Sequence, residues 1–321
     1  MARALKGFLA GLCLLSVPFE AGAEVAVTGD AFMGLEENFR RFPGDANNIE
    51  LTNRTRVRFN MSGETDMGLS FGATIRLDEF AFASPTPDRG WTTGVVYVAS
   101  SLGKLSMGDV DSAAEAAVGH VAGVGMTGLG DNNETTYAQT GFGASMGPTL
   151  LYEYYGTGWA VFASMTKQAD YFTVPSLAQN ISVGGRMTFG DLVLSAGFEK
   201  FMTEFNPAVE NWNVGAAYKI GDFNLKGIYG KFETYYNGYE SEQYSMSVDW
   251  TQGPFTATAF VARQPDAGEF DLNATYLGIG GLYDLGGGAA LSGGWVRRDG
   301  PSDSFFLFPD TAFDFGMTLT F

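Results

Sequence analysis

The eleven residues from Thr311 to Phe321 constrain the fold of this chain more than any other segment. Phe313, Phe315, Met317, Leu319 and Phe321 fall on one parity, and Asp314, Gly316, Thr318 and Thr320 on the other. Successive side chains of a β-strand point to opposite faces, so such a strand has one apolar wall and one wet wall. Its length suits a tilted strand crossing a bilayer, about 9–11 residues.

The other end of the chain fits the same environment. Arg3 and Lys6 form a basic start, Gly7 to Val17 a short apolar core, and Ala21, Gly22 and Ala23 a small-residue cleavage site, so residues 1–23 are expected to be a signal peptide and the mature chain to begin at Glu24. Cys13 does not make this a lipid-attachment site, because Leu12 stands where a small residue is needed. The whole chain carries 19 Lys and Arg against 36 Asp and Glu; losing Arg3, Lys6 and Glu20 leaves 17 and 35, and no cysteine. Stability must therefore come from packing and hydrogen bonds, with no disulfide framework. The acidic balance excludes nucleic acid as a partner. Beyond the leader no run of 18 apolar residues occurs, which excludes a helical membrane protein.

Repetition narrows the choice further. Short glycine-centred turns recur at Gly63, Gly103, Gly156, Gly190, Gly221, Gly253 and Gly286, the last four intervals being 34, 31, 32 and 33 residues. Each interval holds two strands and one longer loop. Seven turns divide the mature chain into eight hairpin units, hence 16 strands with both termini on the short-turn side. Parity supports the strands: Val57, Phe59 and Met61 oppose Arg54, Arg56, Arg58 and Asn60; Phe71, Ala73, Ile75 and Leu77 oppose Thr74, Arg76 and Asp78; Ile181, Val183 and Met187 oppose Ser182 and Arg186. Trp159 to Thr166 alternates poorly, with small or apolar residues on both faces. A soluble solenoid would also be periodic, but its strands would not carry lone charges at mid-length. In lipid every backbone polar group needs a partner, so the expected fold is all-β: a closed 16-stranded antiparallel transmembrane β-barrel. Sixteen strands enclose a lumen too wide for side chains to fill. Trp159 and Trp250 lie beside short turns, and Trp91, Trp212 and Trp295 nearer the long loops, as two interfacial aromatic girdles would.

One unit breaks the period. Gly103 to Gly156 spans 53 residues, and the excess falls between Asp109 and Pro148, in the third long loop. Few side chains in segment 110–147 suit a solvated surface, so this loop is expected to fold against something, the lumen wall being the obvious candidate.

Together the leader, the strands, the acidic third loop and terminal Phe321 resemble the general diffusion porins of Gram-negative bacteria, and most closely those of purple alphaproteobacteria. The likeness is carried by Glu24–Ala31, Asn53–Val57, Met61–Gly63, Gly68–Ala73, Met107–Asp109 and Tyr283–Ala289. It implies an outer-membrane location, a third loop folded into the lumen, and a homotrimer of barrels. It also implies passive transport of small hydrophilic solutes and ions, and a calcium ion at the inserted loop.

The candidate site is electrostatic. Arg54, Arg56, Arg58 and Arg76 share a face that would be costly in lipid, about 2–4 kcal/mol each at mid-depth, so they should face the lumen at its constriction. Arg40 and Arg41 could extend the cluster. Asp109, Asp111, Glu115, Asp131 and Glu134 of the loop would form the opposing wall, giving a transverse field. The plainer alternative is that the arginines pin the loop by ion pairs. Asp109, Asp111, Asp131 and Glu134 are the oxygen donors available to calcium, although their spacing is not a calcium loop. Gly123 to Gly128 matches G-x-G-x-x-G without the strand before it or the helix after it that nucleotide binding needs. His120, the one histidine, has no flanking Ser, Asp or Cys, so no enzyme is expected. External acids such as Asp266, Glu269, Asp299 and Asp303 and the basic constriction act in opposite senses, with weak cation preference the expected net result. The competing readings are a substrate-specific channel, which would need an aromatic ladder in the lumen, and a closed adhesive or scaffolding barrel, which would need a second plug.

Overall fold

The computed structural model describes residues 24–37, 49–80, 94–129, 131–141, 148–169, 177–202, 207–234, 239–264, 274–300 and 311–321. The expected signal peptide, Arg40, Arg41, Trp91, Asp266, Glu269, Asp303 and segment 142–147 of the third loop lie outside them.

Sixteen strands follow one another: β1 (Glu24–Glu37), β2 (Glu50–Glu64), β3 (Ser70–Phe80), β4 (Gly94–Ser100), β5 (Gly103–Gly108), β6 (Thr149–Gly156), β7 (Trp159–Ala169) and β8 (Leu177–Phe189). Then come β9 (Leu192–Met202), β10 (Pro207–Ile220), β11 (Phe223–Thr234), β12 (Tyr239–Gln252), β13 (Phe255–Gln264), β14 (Ala274–Gly286), β15 (Ala289–Asp299) and β16 (Thr311–Thr320). Each pairs antiparallel with its sequence neighbours, and β1 pairs with β16, so the sheet closes on itself. Gly29 and Phe321 exchange both backbone hydrogen bonds at that seam, at 2.8 and 3.2 Å. No sheet edge remains, which is the condition for β-structure in lipid.

The short turns stand where the glycine spacing puts them. Gly190, Gly221 and Gly253 have φ of 62°, 57° and 58°, the left-handed conformation that tight turns impose and glycine adopts without a Cβ clash.

The barrel is inside out relative to a soluble protein. Val183, Ile279, Met246 and Phe315 are exposed, while Glu199, Asn211, Asn213 and Ser182 on the opposite parity are almost wholly buried. Phe315 and Phe321 point outward and Asp314 inward, as the alternation of the last strand requires. The apolar core is not inside a sheet sandwich. It lies between the wall and the third loop, where Ala113, Ala117, Val118, Val121, Val124 and Leu129 pack on Phe162, Ile228, Phe260 and Val296.

Candidate functional site

On β2, Arg54, Arg56 and Arg58 take the inner parity, and β3 presents Arg76 and Asp78 on the same face. Register places Arg58 opposite Arg76, Arg56 opposite Asp78, and Asp30 of β1 opposite Arg56. Like charges directly across a ladder repel. The carboxylates resolve this by reaching diagonally. Asp30 accepts from Arg54 at 2.9 Å and from Arg58 at 2.8 Å, while Asp78 pairs with Arg56 at 2.8 Å and Arg76 at 3.2 Å. Four guanidinium groups thus share two wall carboxylates, and the strip keeps a net positive charge. The ion pairs of these arginines run to Asp30 and Asp78, neither of which the sequence reading singled out as a partner.

The third loop leaves β5 at Asp109 and forms α1 (Ala113–Val118). Ser112 caps it, its Oγ accepting the Glu115 N–H at 3.2 Å. Gly119 ends it with φ of 64°, donating its N–H to Glu115 O at 2.7 Å. From there the loop runs along the inner-face side chains of successive strands. Ala113 N–H donates to Ser164 Oγ on β7 and Ala114 N–H to Ser182 Oγ on β8, both at 2.8 Å. Ala122 N–H donates to Ser247 Oγ on β12 at 3.0 Å. Thr127 gives both its N–H and its hydroxyl proton to Asp314 Oδ2 on β16, each at 2.7 Å. The return limb bonds Thr136 N–H to Gln243 Oε1 at 2.8 Å and Ala138, the first residue of α2 (Ala138–Gly141), to Glu199 Oε2 at 2.6 Å. Each such bond contributes about 1 kcal/mol net, and leaving a buried N–H without its acceptor costs more.

Small residues let the helix come this close. A Cβ built on Gly197 would stand 2.6 Å from Ala114 Cα, and one on Gly184 would stand 2.6 Å from Ala117 Cβ. Alanine on the helix and glycine on the wall are complementary surfaces. Of the glycines in the G-x-G-x-x-G match, Gly125 serves the same kind of approach, since its N lies 2.5 Å from where a Gly294 Cβ would be. Gly123 and Gly128 instead make room within the loop, for the side chains of Asn133 and Asp131.

The loop acids are distributed unevenly. Asp111, Glu115 and Glu134 surround His120 electrostatically, Asp109 sits at the loop's base with its N–H on Gly94 O at 3.0 Å, and Asp131 turns the chain with φ of 55°. His120 Nε2 lies 3.0 Å from Glu115 Oε1, and its Nδ1 accepts the Thr135 N–H at 3.0 Å. The neutral ring therefore carries its proton on Nε2. Burial, the largest single influence, pulls the His120 pKa down, but the hydrogen-bonded Glu115 carboxylate together with Glu134 and Asp111 outweighs it, so the net displacement is upward. Taking a second proton would cost the Thr135 bond. Asp111 keeps an exposed edge, yet the packed loop strips much of its hydration and Glu115 adds like charge, so its carboxyl is pushed up to about 6. Burial, opposed by His120, also raises Glu134. Tyr137 is fully buried, donates to Gly119 O at 2.7 Å, packs edge-on to His120 at 5.7 Å, and stays protonated.

The four carboxylates expected to hold calcium do not converge. Among the described residues no group of three or more His, Cys, Asp or Glu side chains is placed to hold a metal ion. Asp109 and Asp111 belong to the outgoing limb and Asp131 and Glu134 to the reversal, so the donor set does not fit the ion.

The wall residues that fasten the loop escaped the sequence reading. Ser164, Ser182, Ser247, Gln243, Glu199 and Asp314 announce themselves only as polar residues on the inner parity, a property shared by many that hold nothing.

Comparison with known proteins agrees with this architecture. A family model described as Gram-negative porin matches residues 9–300. A porin of Rhodobacter capsulatus is 34% identical over 303 residues, covering 87% of this chain and 96% of that one. A solved porin structure superposes with a TM-score of 0.75 at 32% identity, covering 93% of this chain and all of the other. A mutant porin of Rhodopseudomonas blastica reaches 0.69 at 18% identity over 92% of this chain and all of its own, a likeness of fold alone.

Proposed function

The chain belongs to the Gram-negative porin family, the outer-membrane diffusion channels, and from that premise we propose where its passage runs and how it selects. The third loop folds into the lumen and narrows it. The passage lies between that loop and the arginine strip of β2 and β3, and it carries small hydrophilic solutes and ions with weak cation preference. One observation carries this reading: the loop's hydrogen bonds run to the inner-face side chains of β7, β8, β9 and β12, across the barrel from Arg56 and Arg76, with one further anchor on β16, two strands from β2. Across the remaining gap a basic strip faces acids, a field that lets hydrated ions of either sign pass along their own side. His120 packs the loop and has no catalytic task. Association of three barrels side by side is proposed on family likeness.

Single-channel conductance of the detergent-folded protein in a planar bilayer tests the reading. Large steps that scale with bulk conductivity are expected, and closure in groups of three would add the trimer. Silent insertion would overturn the open passage, and small steps blocked by one solute would replace it with a specific channel.

A further inference from the structure

The inner-face cations differ in how their charge is met. Lys104 pairs with Glu153 at 3.2 Å and Lys200 with Glu210 at 2.7 Å, as the arginine strip pairs with Asp30 and Asp78. Among the described residues Arg186 on β8 and Lys226 on β11 have no carboxylate partner at ion-pair distance. The charged group that acts on Lys226 is another cation, Arg186. Both are held in place. Arg186 Cζ lies 5.4 Å from the centre of the Phe162 ring and 5.7 Å from that of Tyr155, and the two rings meet edge to face at 5.8 Å. Lys226 Nζ abuts the end of α1, 3.2 Å from where a Cβ on Gly119 would stand. The inner-face positions between them are small: Ser195 opposite Arg186, Gly215 opposite Ser195, and Ala217 opposite Lys226. Val118 of α1 covers Gly215, 3.1 Å from where a Cβ there would stand, and the two long side chains share the shallow floor that Ser195 and Ala217 leave beside it.

Two half-buried like charges, held near each other without a counter-ion, cost free energy in the empty protein. A dianion between them would remove that cost. We propose that Arg186 and Lys226 form an anion subsite in the passage, on the short-turn side of α1, that takes a phosphate-type dianionic group of a permeating solute. The guanidinium fork, fixed by its ring stack, suits two oxygens at once, and the ammonium supplies a second point charge. Glu153, which accepts the hydroxyl of that same Tyr155 at 2.8 Å, is already paired with Lys104 at 3.2 Å. This subsite rests on the channel reading, since the solute must reach it through the pore.

The test uses inorganic phosphate on the full-length folded protein, with Arg186→Gln, Lys226→Gln and, as a control of equal charge on the same wall, Lys219→Gln. Binding is read by titration calorimetry in detergent and block by single-channel current. Phosphate is expected to bind and to reduce current in the parent protein. Either subsite variant should weaken both effects by about tenfold, the loss expected for one charge-assisted contact. Lys219→Gln and an acetate titration should show little. An open channel with no phosphate binding, equal weakening by Lys219→Gln, or equal affinity for acetate would overturn the subsite. Calorimetric binding without any conductance would overturn the passage but leave the subsite standing as an anion site.

Discussion

Glu199, a carboxylate with no exposed surface in the middle of β9, accepts the backbone N–H of Ala138 at 2.6 Å. The same oxygen takes the Asn211 amide at 3.3 Å. One wall residue therefore fixes the start of α2, on the limb of the loop that returns to β6. Glu199→Ala leaves the Ala138 N–H buried without an acceptor, a local cost of about 1–3 kcal/mol. Faster hydrogen exchange at Ala138 and noisier open-channel current are expected, with Glu199→Gln recovering most of both. Unchanged exchange in Glu199→Ala would remove this residue as an anchor.

Replacing Arg54, Arg56 and Arg58 together by Gln leaves Asp30 and Asp78 facing Arg76 alone, and the strip turns from positive to negative. Cation preference should rise about threefold, equivalent to roughly 0.6 kcal/mol between the two ion barriers. The reversal potential under a salt gradient reads it. No shift would take the strip out of the conducting path.

Acidification should act through the loop. Asp111 titrates near 6 in the fold and near 3.8 in an unfolded chain, so its charged form is disfavoured by folding. That cost is complete above about 6 and vanishes below about 4, so this group favours the packed loop increasingly as pH falls through that window. Its neutralisation also removes a negative charge from the loop. Cation preference should therefore fall between pH 7 and 5 in the parent protein and respond less in Asp111→Asn. An identical pH profile in the two would assign the change elsewhere.

Gly197→Ala puts a methyl group 2.6 Å from the Ala114 backbone, and backbone cannot rotate aside. Overpacking of this kind costs about 1–3 kcal/mol, and the loop is expected to lift, changing single-channel conductance. Gly190→Ala is the comparison. Its Cβ meets nothing within 4 Å, so it strains only a turn at φ of 62° and should leave conductance unchanged. Equal conductance in both variants would mean that the helix seat does not shape the passage.

The strands and their number were legible because alternation is a local property. A residue's parity follows from its neighbours in sequence, and lipid on one side with water on the other makes that parity visible. The inner placement of Arg54, Arg56, Arg58 and Arg76 was legible on the same grounds. The pairing of Asp30 with Arg54 and Arg58 was not, since it depends on the register between β1 and β2 and on side chains reaching diagonally. The arrangement of the loop acids was hidden for a related reason: Asp109 and Asp131 look adjacent as charges in one loop but sit on different limbs of it.

Sequence alone determined that this chain crosses a membrane as a closed barrel with one oversized loop, because periodicity and the need to satisfy every backbone group in lipid leave no other arrangement. Tertiary structure decided which wall residues hold the loop and which cations go without a partner. Ser164, Glu199 and Asp314 are polar inner-face residues like many others until α1 and its return limb are laid against them. Arg186 and Lys226 become neighbours only because the two strands between them, β9 and β10, present small residues there. Contacts of that kind join residues far apart in the chain, and no local pattern encodes them.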